Sequence, residues 1–238
     1  MLDAWLDLVL GSRCSACGAP GRALCAGCTV LLPVSAAPSW PTPTPAGLVA
    51  PWSAGEYAEP LRSLVVDHKD HGRLALARPL GRLLAVAAEA AWSARHGTAE
   101  QHVRLVPVPS HPSVVRRRGQ DPLLRIAREA AAHLRRRGAC ASVLPALSVV
   151  VRPGDQAGLT AAERAVNVAG RFRARPHLAV DGPPVLLVDD VITTGATLRE
   201  AQRALEVVGL APFAAATVAA TRLKRTPCYL STHGGTSV

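Results

Sequence analysis

Two groups of residues in this chain have the types and spacing to do chemistry. The first is Asp189-Asp190, followed after two residues by Thr193, Thr194, Gly195, Ala196 and Thr197. Adjacent carboxylates can accept hydrogen bonds from sugar hydroxyls or hold a hard divalent cation such as magnesium. A hydroxyl-rich turn that opens a helix offers free backbone N–H groups and the positive end of the helix dipole to a phosphate. Gly195 lets the backbone come close with no Cβ in the way. Acids and turn together describe a site for a sugar phosphate. The bland alternative is a strand-to-helix turn with two solvated aspartates and a hydroxyl cap. It is disfavoured because paired acids at a buried strand end are costly unless used.

The second group is Cys14, Cys17, Cys25 and Cys28, a C-x2-C-x7-C-x2-C arrangement. Each C-x2-C knuckle presents two thiolates to one ion, and two knuckles complete a tetrahedron, so structural zinc is the leading interpretation. Gly18 and Gly27 are expected to supply the knuckle turns. A redox C-x2-C is the rival, but its usual βαβ setting is missing here. Four cysteines leave no open coordination position, which points away from a catalytic metal. Cys140 and Cys228 stand alone and are read as incidental.

Elements must position these groups. Val185 to Val188 form an apolar, β-branched run expected as a buried parallel strand with the acids at its end. A helix is expected over 197–208 and a last strand near 213–220. Upstream, 103–108 reads as a strand, 57–66 carries apolar residues at helical spacing, and 74–95 and 123–137 read as helices. Arg116 to Pro122 reads as a basic turn, 144–151 as a weak strand, and 152–170 as a loop. Leu2, Trp5, Leu6 and Val9 fall on one helical face, suggesting a short amphipathic helix packed on the body. Alternating strands and helices predict an α/β fold with a doubly wound parallel sheet, with ligands at the strand C-termini. Three divisions follow: helix and zinc ribbon over 1–32, a Pro-rich extended linker over 33–51, and the main domain over 52–238.

Composition narrows the function classes. The chain has 238 residues, 49% of them apolar, enough for one core plus a small appendage. No apolar run is long enough to span a membrane, and the acids in the first ten residues do not suit a secretory signal, so a cytoplasmic protein is expected. The net charge is +10. Residues 101–180 hold fourteen arginines against four acids, enough to account for the whole imbalance. Such a surface suits a polyanion, a diphosphate or a nucleic acid, although Arg135-Arg136-Arg137 at a helix C-terminus is better explained by a solvated face and the helix dipole. Only two Phe and two Tyr are present, so stacking platforms for single strands are scarce.

Segment 185–197 resembles the phosphoribosyl-diphosphate (PRPP) binding loop of type I phosphoribosyltransferases: four apolar residues, two acids, then a Thr/Gly turn. The order of features along nearly the whole chain is similar to that of ComF-type proteins, the competence-associated relatives of amidophosphoribosyltransferase. Tyr57 to Gly72 resembles that family's Tyr…Leu-Arg…Lys…Gly segment. Val106-Pro107-Val108-Pro109 with Arg118-Gly119 resembles its diphosphate-side loop, and Arg152, Gln156, Gly158, Leu159, Arg164 and Asn167 its flexible loop. The resemblance implies a type I phosphoribosyltransferase-like sheet behind a small zinc ribbon, with structural zinc and with magnesium accompanying PRPP. It implies catalytic and PRPP-binding roles for Asp189 and Asp190, and PRPP contacts from Thr193, Thr194, Gly195, Ala196 and Thr197. Diphosphate or loop contacts would come from Lys69, Pro107, Val108, Pro109, Arg118, Arg152, Gln156 and Arg164. Partners would be PRPP or a nucleotide, with single-stranded DNA or competence-machinery proteins as the alternative. His68 and His71 have the chemistry for proton transfer but are expected to be solvated. In one place the chain departs from that family. Gln120-Asp121-Pro122 follow Gly119 where an aromatic residue and Asn-Gln are usual, so no role of those residues carries over.

Overall fold

The structure is a computed structural model that describes residues 12–97, 102–150, 169–175 and 182–221. Its centre is a six-stranded sheet in the order β1-β2-β8-β7-β3-β4, formed by β1 (Ala37–Pro38), β2 (Pro51–Glu56), β3 (His102–Pro107), β4 (Cys140–Val143), β7 (Val185–Ile192) and β8 (Pro212–Ala220). All pairings are parallel except the short β1–β2 pair at one edge. β5 (Leu147–Val149) and β6 (Phe172–Ala174) form a separate antiparallel ribbon. The α/β, mainly parallel architecture is the one the alternation of elements predicts.

The helices are α1 (Ala26–Val30), α2 (Leu61–Lys69), α3 (Ala77–His96, entered through a 3-10 turn at Leu74–Leu76), α4 (Pro112–Arg118), α5 (Pro122–Arg136) and α6 (Ala196–Glu206). Right-handed crossovers decide their faces. The chain moves in one direction across the sheet from β2 through α3 to β3 and through α5 to β4, then back from β7 through α6 to β8. The helix of the reversed crossover therefore lies on the opposite face. Consistent with this, α3 and α5 pack on each other. They cross at Gly81, where an added Cβ would lie 2.4 Å from Glu129 Cβ and 2.9 Å from the Ala130 nitrogen. Leu80, Leu83, Leu84, Ile126 and Leu134 fill this layer against the buried β7 and β8.

Asp121 begins α5 as its N-cap, accepting from Leu123 N at 3.0 Å, with Pro122 in the first turn where no donor is missed. The same carboxylate accepts from Ser110 N and Ser110 Oγ, both at 3.1 Å, so it also ties down the segment after β3. That double use gives the Gln120-Asp121-Pro122 departure a structural reason.

Several expectations are corrected. The strand expected over 185–188 continues to Ile192, because the parallel partner β8 keeps pairing past the acids (Asp189 with Thr217, Val191 with Ala219). Arg116 to Arg118 lie in the last turn of α4 and not in a basic turn. The 33–51 stretch is not a detached extended linker: Pro41 and Leu48 are buried, β1 pairs with β2, and Val49 N donates to Gln202 Oε1 at 3.0 Å. Proline rings are apolar surface, and the sheet edge and α6 give them something to cover. The weak strand over 144–151 resolves into β5, which pairs with β6 outside the main sheet. The amphipathic N-terminal segment 1–11 and most of the 152–170 loop lie outside the described residues.

Candidate functional site

Four elements meet at the carboxyl edge of the sheet. β7 brings Asp189 and Asp190, with Asp190 buried at 8% exposure and Asp189 partly buried. Their carboxylates are held by the backbone just ahead: Asp190 N donates to Asp189 Oδ1 at 2.8 Å and Val191 N to Asp190 Oδ1 at 2.9 Å. From α2, Lys69 Nζ reaches Asp190 Oδ2 at 2.5 Å. From β3, Pro107 pairs with Val188 and Val108 N donates to Val188 O at 3.0 Å, which sets Pro107, Val108 and Pro109 beside the acids.

Charge is concentrated here. Burial and then the like charge of Asp190 push the Asp189 carboxyl well above the ordinary carboxylate range, with Lys69 opposing them. Burial alone would lower the Lys69 ammonium, but the charges of Asp190, Asp189 and Asp70 outweigh it and raise its pKa. Lys69 therefore neutralises part of an otherwise crowded acidic pair, while nearly half of its side chain stays open to solvent.

Beyond β7 the turn 193–195 leads into α6. Thr193 and Thr194 are exposed, and Thr194 Oγ1 faces Ala196 N at 3.4 Å. Among the described residues, the amides of Thr193, Gly195 and Thr197 have no protein acceptor, as expected at the unpaired N-terminal turn of a helix. Gly195 has φ +74, a left-handed conformation that side chains strain. It is also walled in: a Cβ there would lie 3.0 Å from both Leu48 Cδ2 and Pro41 Cγ and 3.4 Å from Pro45 Cδ. The Pro-rich segment thus backs the phosphate-type turn.

Arg118 joins this end of the molecule at one remove, through Asp70 at 2.7 Å. Arg152, Gln156 and Arg164, with Gly158, Leu159 and Asn167, lie outside the described residues. The histidines correct an expectation. His68 is 1% exposed, with Nδ1 3.2 Å from Arg73 O and Nε2 3.2 Å from Pro122 O, so it is a buried tie between α2 and α5 and not a solvated group. His71 is exposed and bonds Asp67 Oδ1 at 2.8 Å. The sequence reading passed over Asp67, Asp70 and Arg73.

The four cysteines of the N-terminal unit place their Sγ atoms within 4.8 Å of one another, with Cys17 and Cys25 Sγ 3.7 Å apart. Tetrahedral zinc with Zn–S near 2.3 Å needs sulfurs about 3.8 Å apart, so the donor set fits. Burial works against the Cys14 thiolate, yet the backbone amide of Cys25, followed by those of Cys17 and Ala16, brings its pKa down to about 6. Cys28 N donates to Cys25 Sγ at 3.4 Å. Gly18 makes its knuckle turn at φ +74, whereas Gly27 lies inside α1 and supplies no such turn. A cleft of about 720 Å³ lies elsewhere, between this unit and α3–α5, lined among others by Arg22, Arg78, Arg82, Arg136 and Arg137.

These features define an α/β protein with an acidic, anion-ready site at the carboxyl edge of a mainly parallel sheet and a zinc-type four-cysteine cluster ahead of it. Residues 125–229 match the model of the phosphoribosyl transferase domain, and the four-cysteine cluster suited to zinc lies ahead of that match. Among solved structures, adenine phosphoribosyltransferase from Saccharomyces cerevisiae, complexed with an imino-altritol bisphosphate and adenine, is similar at 14% identity and a TM-score of 0.36, over 82% of this chain and 89% of that one. No curated protein matches the chain. No helix among the described residues is long and apolar enough to cross a membrane.

Proposed function

We propose that this chain is a ComF-type phosphoribosyltransferase that binds PRPP with magnesium and transfers ribose-5-phosphate to a nucleophilic acceptor. In that reaction the C1–oxygen bond breaks, its electron pair leaves with diphosphate, and the acceptor's lone pair forms the new bond to C1. The observation that carries the reading is the juxtaposition of Asp189-Asp190, the open amides of Thr193, Gly195 and Thr197, and Lys69 at one sheet edge, within a chain whose residues 125–229 match the phosphoribosyl transferase domain.

Each group has a part. The 193–197 turn grips the 5′-phosphate through backbone N–H and threonine hydroxyls and so fixes the distance from phosphate to C1. Asp189 and Asp190 accept from the ribose hydroxyls, and their negative charge favours the electron-poor sugar that develops as diphosphate leaves. Lys69, freed from Asp190 by the arriving hydroxyls, meets the diphosphate together with Arg118 and the 107–109 segment. Arg152, Gln156 and Arg164 complete the set from the loop. Magnesium bound with PRPP supplies charge neutralisation on the leaving group. The cysteine unit holds zinc structurally. We assign the domains accordingly: 1–32 as helix and ribbon, 33–51 as a packed connector, 52–238 as the transferase-like domain.

The test is a diphosphate-release screen with PRPP, magnesium and a panel of nucleobases, beside calorimetry of PRPP. Binding that survives Asp189→Asn and Asp190→Asn unchanged would refute the site. A second reading has its own support in the arginine-lined cleft beside the cysteine unit: a non-catalytic nucleotide- or single-stranded-DNA-binding adaptor in DNA uptake. It would show DNA affinity falling steeply with salt and no diphosphate release with any acceptor.

A further inference from the structure

Between the four-cysteine unit and the acid pair runs a continuous set of short polar contacts, all through the seven residues Asp67 to Arg73. On one side, Arg73 Nη1 donates to Ser15 Oγ at 2.6 Å and Nη2 donates to the carbonyl of Arg13, so one guanidinium holds the backbone on either side of Cys14 in the first cysteine knuckle. The same Nη1 lies 3.0 Å from Asp67 Oδ2, and Arg73 N donates to Asp67 O at 3.0 Å. The Arg73 carbonyl faces the ring of buried His68. These bonds fix the last turn of α2, and that turn carries Lys69 onto Asp190. Burial alone would raise the Asp67 pKa, but Ser15 also hydrogen-bonds its carboxylate and helps lower it, so among the described residues Asp67 and Arg73 together meet the first knuckle, with the 720 Å³ cleft alongside. A planar, permanently charged fork suits such a post better than a lysine could.

We propose that Arg73 is a positioning residue, a strut through which the metal-holding unit sets Lys69 against Asp190, so that zinc occupancy and anion binding at the acid pair are linked. Loss of zinc frees Ser15 and the Arg13 carbonyl to move. Arg73 then loses two of its acceptors, the turn over 67–73 loosens, and Lys69 spends less time on Asp190. Linkage requires the effect to be mutual: whatever factor zinc adds to PRPP affinity, PRPP adds to zinc affinity.

The chain offers a convenient reporter, because Lys69 and Lys224 are its only lysines. Full-length protein loaded with zinc is pulsed with an amine-acylating reagent, and labelling of Lys69 relative to Lys224 is read by peptide mass spectrometry across pH. Arg73→Ala, still carrying its full zinc content, is expected to label at Lys69 at least about threefold faster, with the midpoint of its pH profile moved down. Arg62→Ala, on the same helix but exposed, should match the parent. Parent-like labelling in Arg73→Ala would overturn the strut. If Arg73→Ala does not fold, Ser15→Ala takes its place, with a smaller rise in the same direction expected and no rise overturning the proposal.

The linkage arm uses a chromophoric chelator to measure zinc affinity with and without saturating PRPP. A change of about fivefold or more in the parent, collapsing toward one in Arg73→Ala, is expected; equal factors in both would sink the coupling. This arm rests on the PRPP reading and the labelling arm does not. Absence of PRPP binding to the parent therefore defeats the proposed function, while labelling still decides the strut.

Discussion

The four-cysteine unit and the acid-pair site are built by opposite means. Cys14 to Cys28 draws four donors from fifteen consecutive residues, and most of the bonds that aim its sulfurs are local backbone amides, such as Cys28 N to Cys25 Sγ. The acid-pair site assembles Lys69 with Asp190, 121 positions apart, and walls Gly195 with Pro41 and Leu48, about 150 positions away. A local site depends on spacing and turn chemistry. A distant one depends on the packing of every element between its parts, so it should respond to changes far from the ligand.

The sharpest separation of the two comes from a ligand change. Cys17→Ser should drop bound zinc from about one ion per chain to near none by elemental analysis, since a structural tetrahedron rarely tolerates a missing thiolate. The parallel sheet should persist by circular dichroism. Collapse of the whole fold would mean that the N-terminal unit is not the local structure described here.

Next in size is Gly195→Ala. The new Cβ meets Leu48 and Pro41 at 3.0 Å in a left-handed backbone, with an expected loss of about 1–3 kcal/mol in urea unfolding and weakened PRPP binding, while zinc content stays whole. Unchanged stability would show that the Pro-rich segment does not press on the turn.

The titration of the acids gives a subtler probe. Asp189 has a raised folded pKa, so the native state binds more protons than the unfolded chain between 3.8 and that raised value. Stability contributed by this group is therefore lost as pH rises through the window, while affinity for magnesium and PRPP climbs as Asp189 ionises. Lys69→Met should move the midpoint of that affinity profile to higher pH by removing the cation, and Asp190→Asn should move it lower by removing the like charge. Midpoints that coincide in parent and variants would contradict the electrostatic description. Lys69 itself works in the other direction. Its raised pKa gives stability that is whole below 10.5 and lost as pH rises through the folded value.

The smallest effect is expected for Asp70→Asn. Its pair with Arg118 spans 2.7 Å, but the Asp70 side chain is 52% exposed. Less than about 1 kcal/mol should be lost. A larger loss would show that this pair holds α2 to α4 more firmly than a surface contact does.

How much of this could be read along the chain varies by element. β7 was legible because a parallel strand buried on both faces is a bare apolar run, but its end was not, since the acids are kept in the strand by pairing with β8. Helix α5 announced itself through the amphipathic pattern over 123–137, while its cap Asp121 and first residue Pro122 read as part of the preceding turn. β2 was missed: Pro51-Trp52-Ser53-Ala54-Gly55-Glu56 has no strand alternation and is extended because β8 and β1 pair with its two sides. His68 looked like a loop histidine beside Gly72, and only the arrival of Pro122 from α5 buries it.

The order of residues alone determined which groups could act and what each could hold: thiols at knuckle spacing, and adjacent acids ahead of a glycine turn. These depend on neighbours a few positions away, whose geometry is fixed by covalent reach and backbone preference. Tertiary structure alone decided that Lys69 answers Asp190, that prolines wall Gly195, and that Arg73 stands between the cysteine unit and the acids. Such pairings join segments with no common local pattern, and they exist because the sheet order and the crossovers bring those segments to one edge.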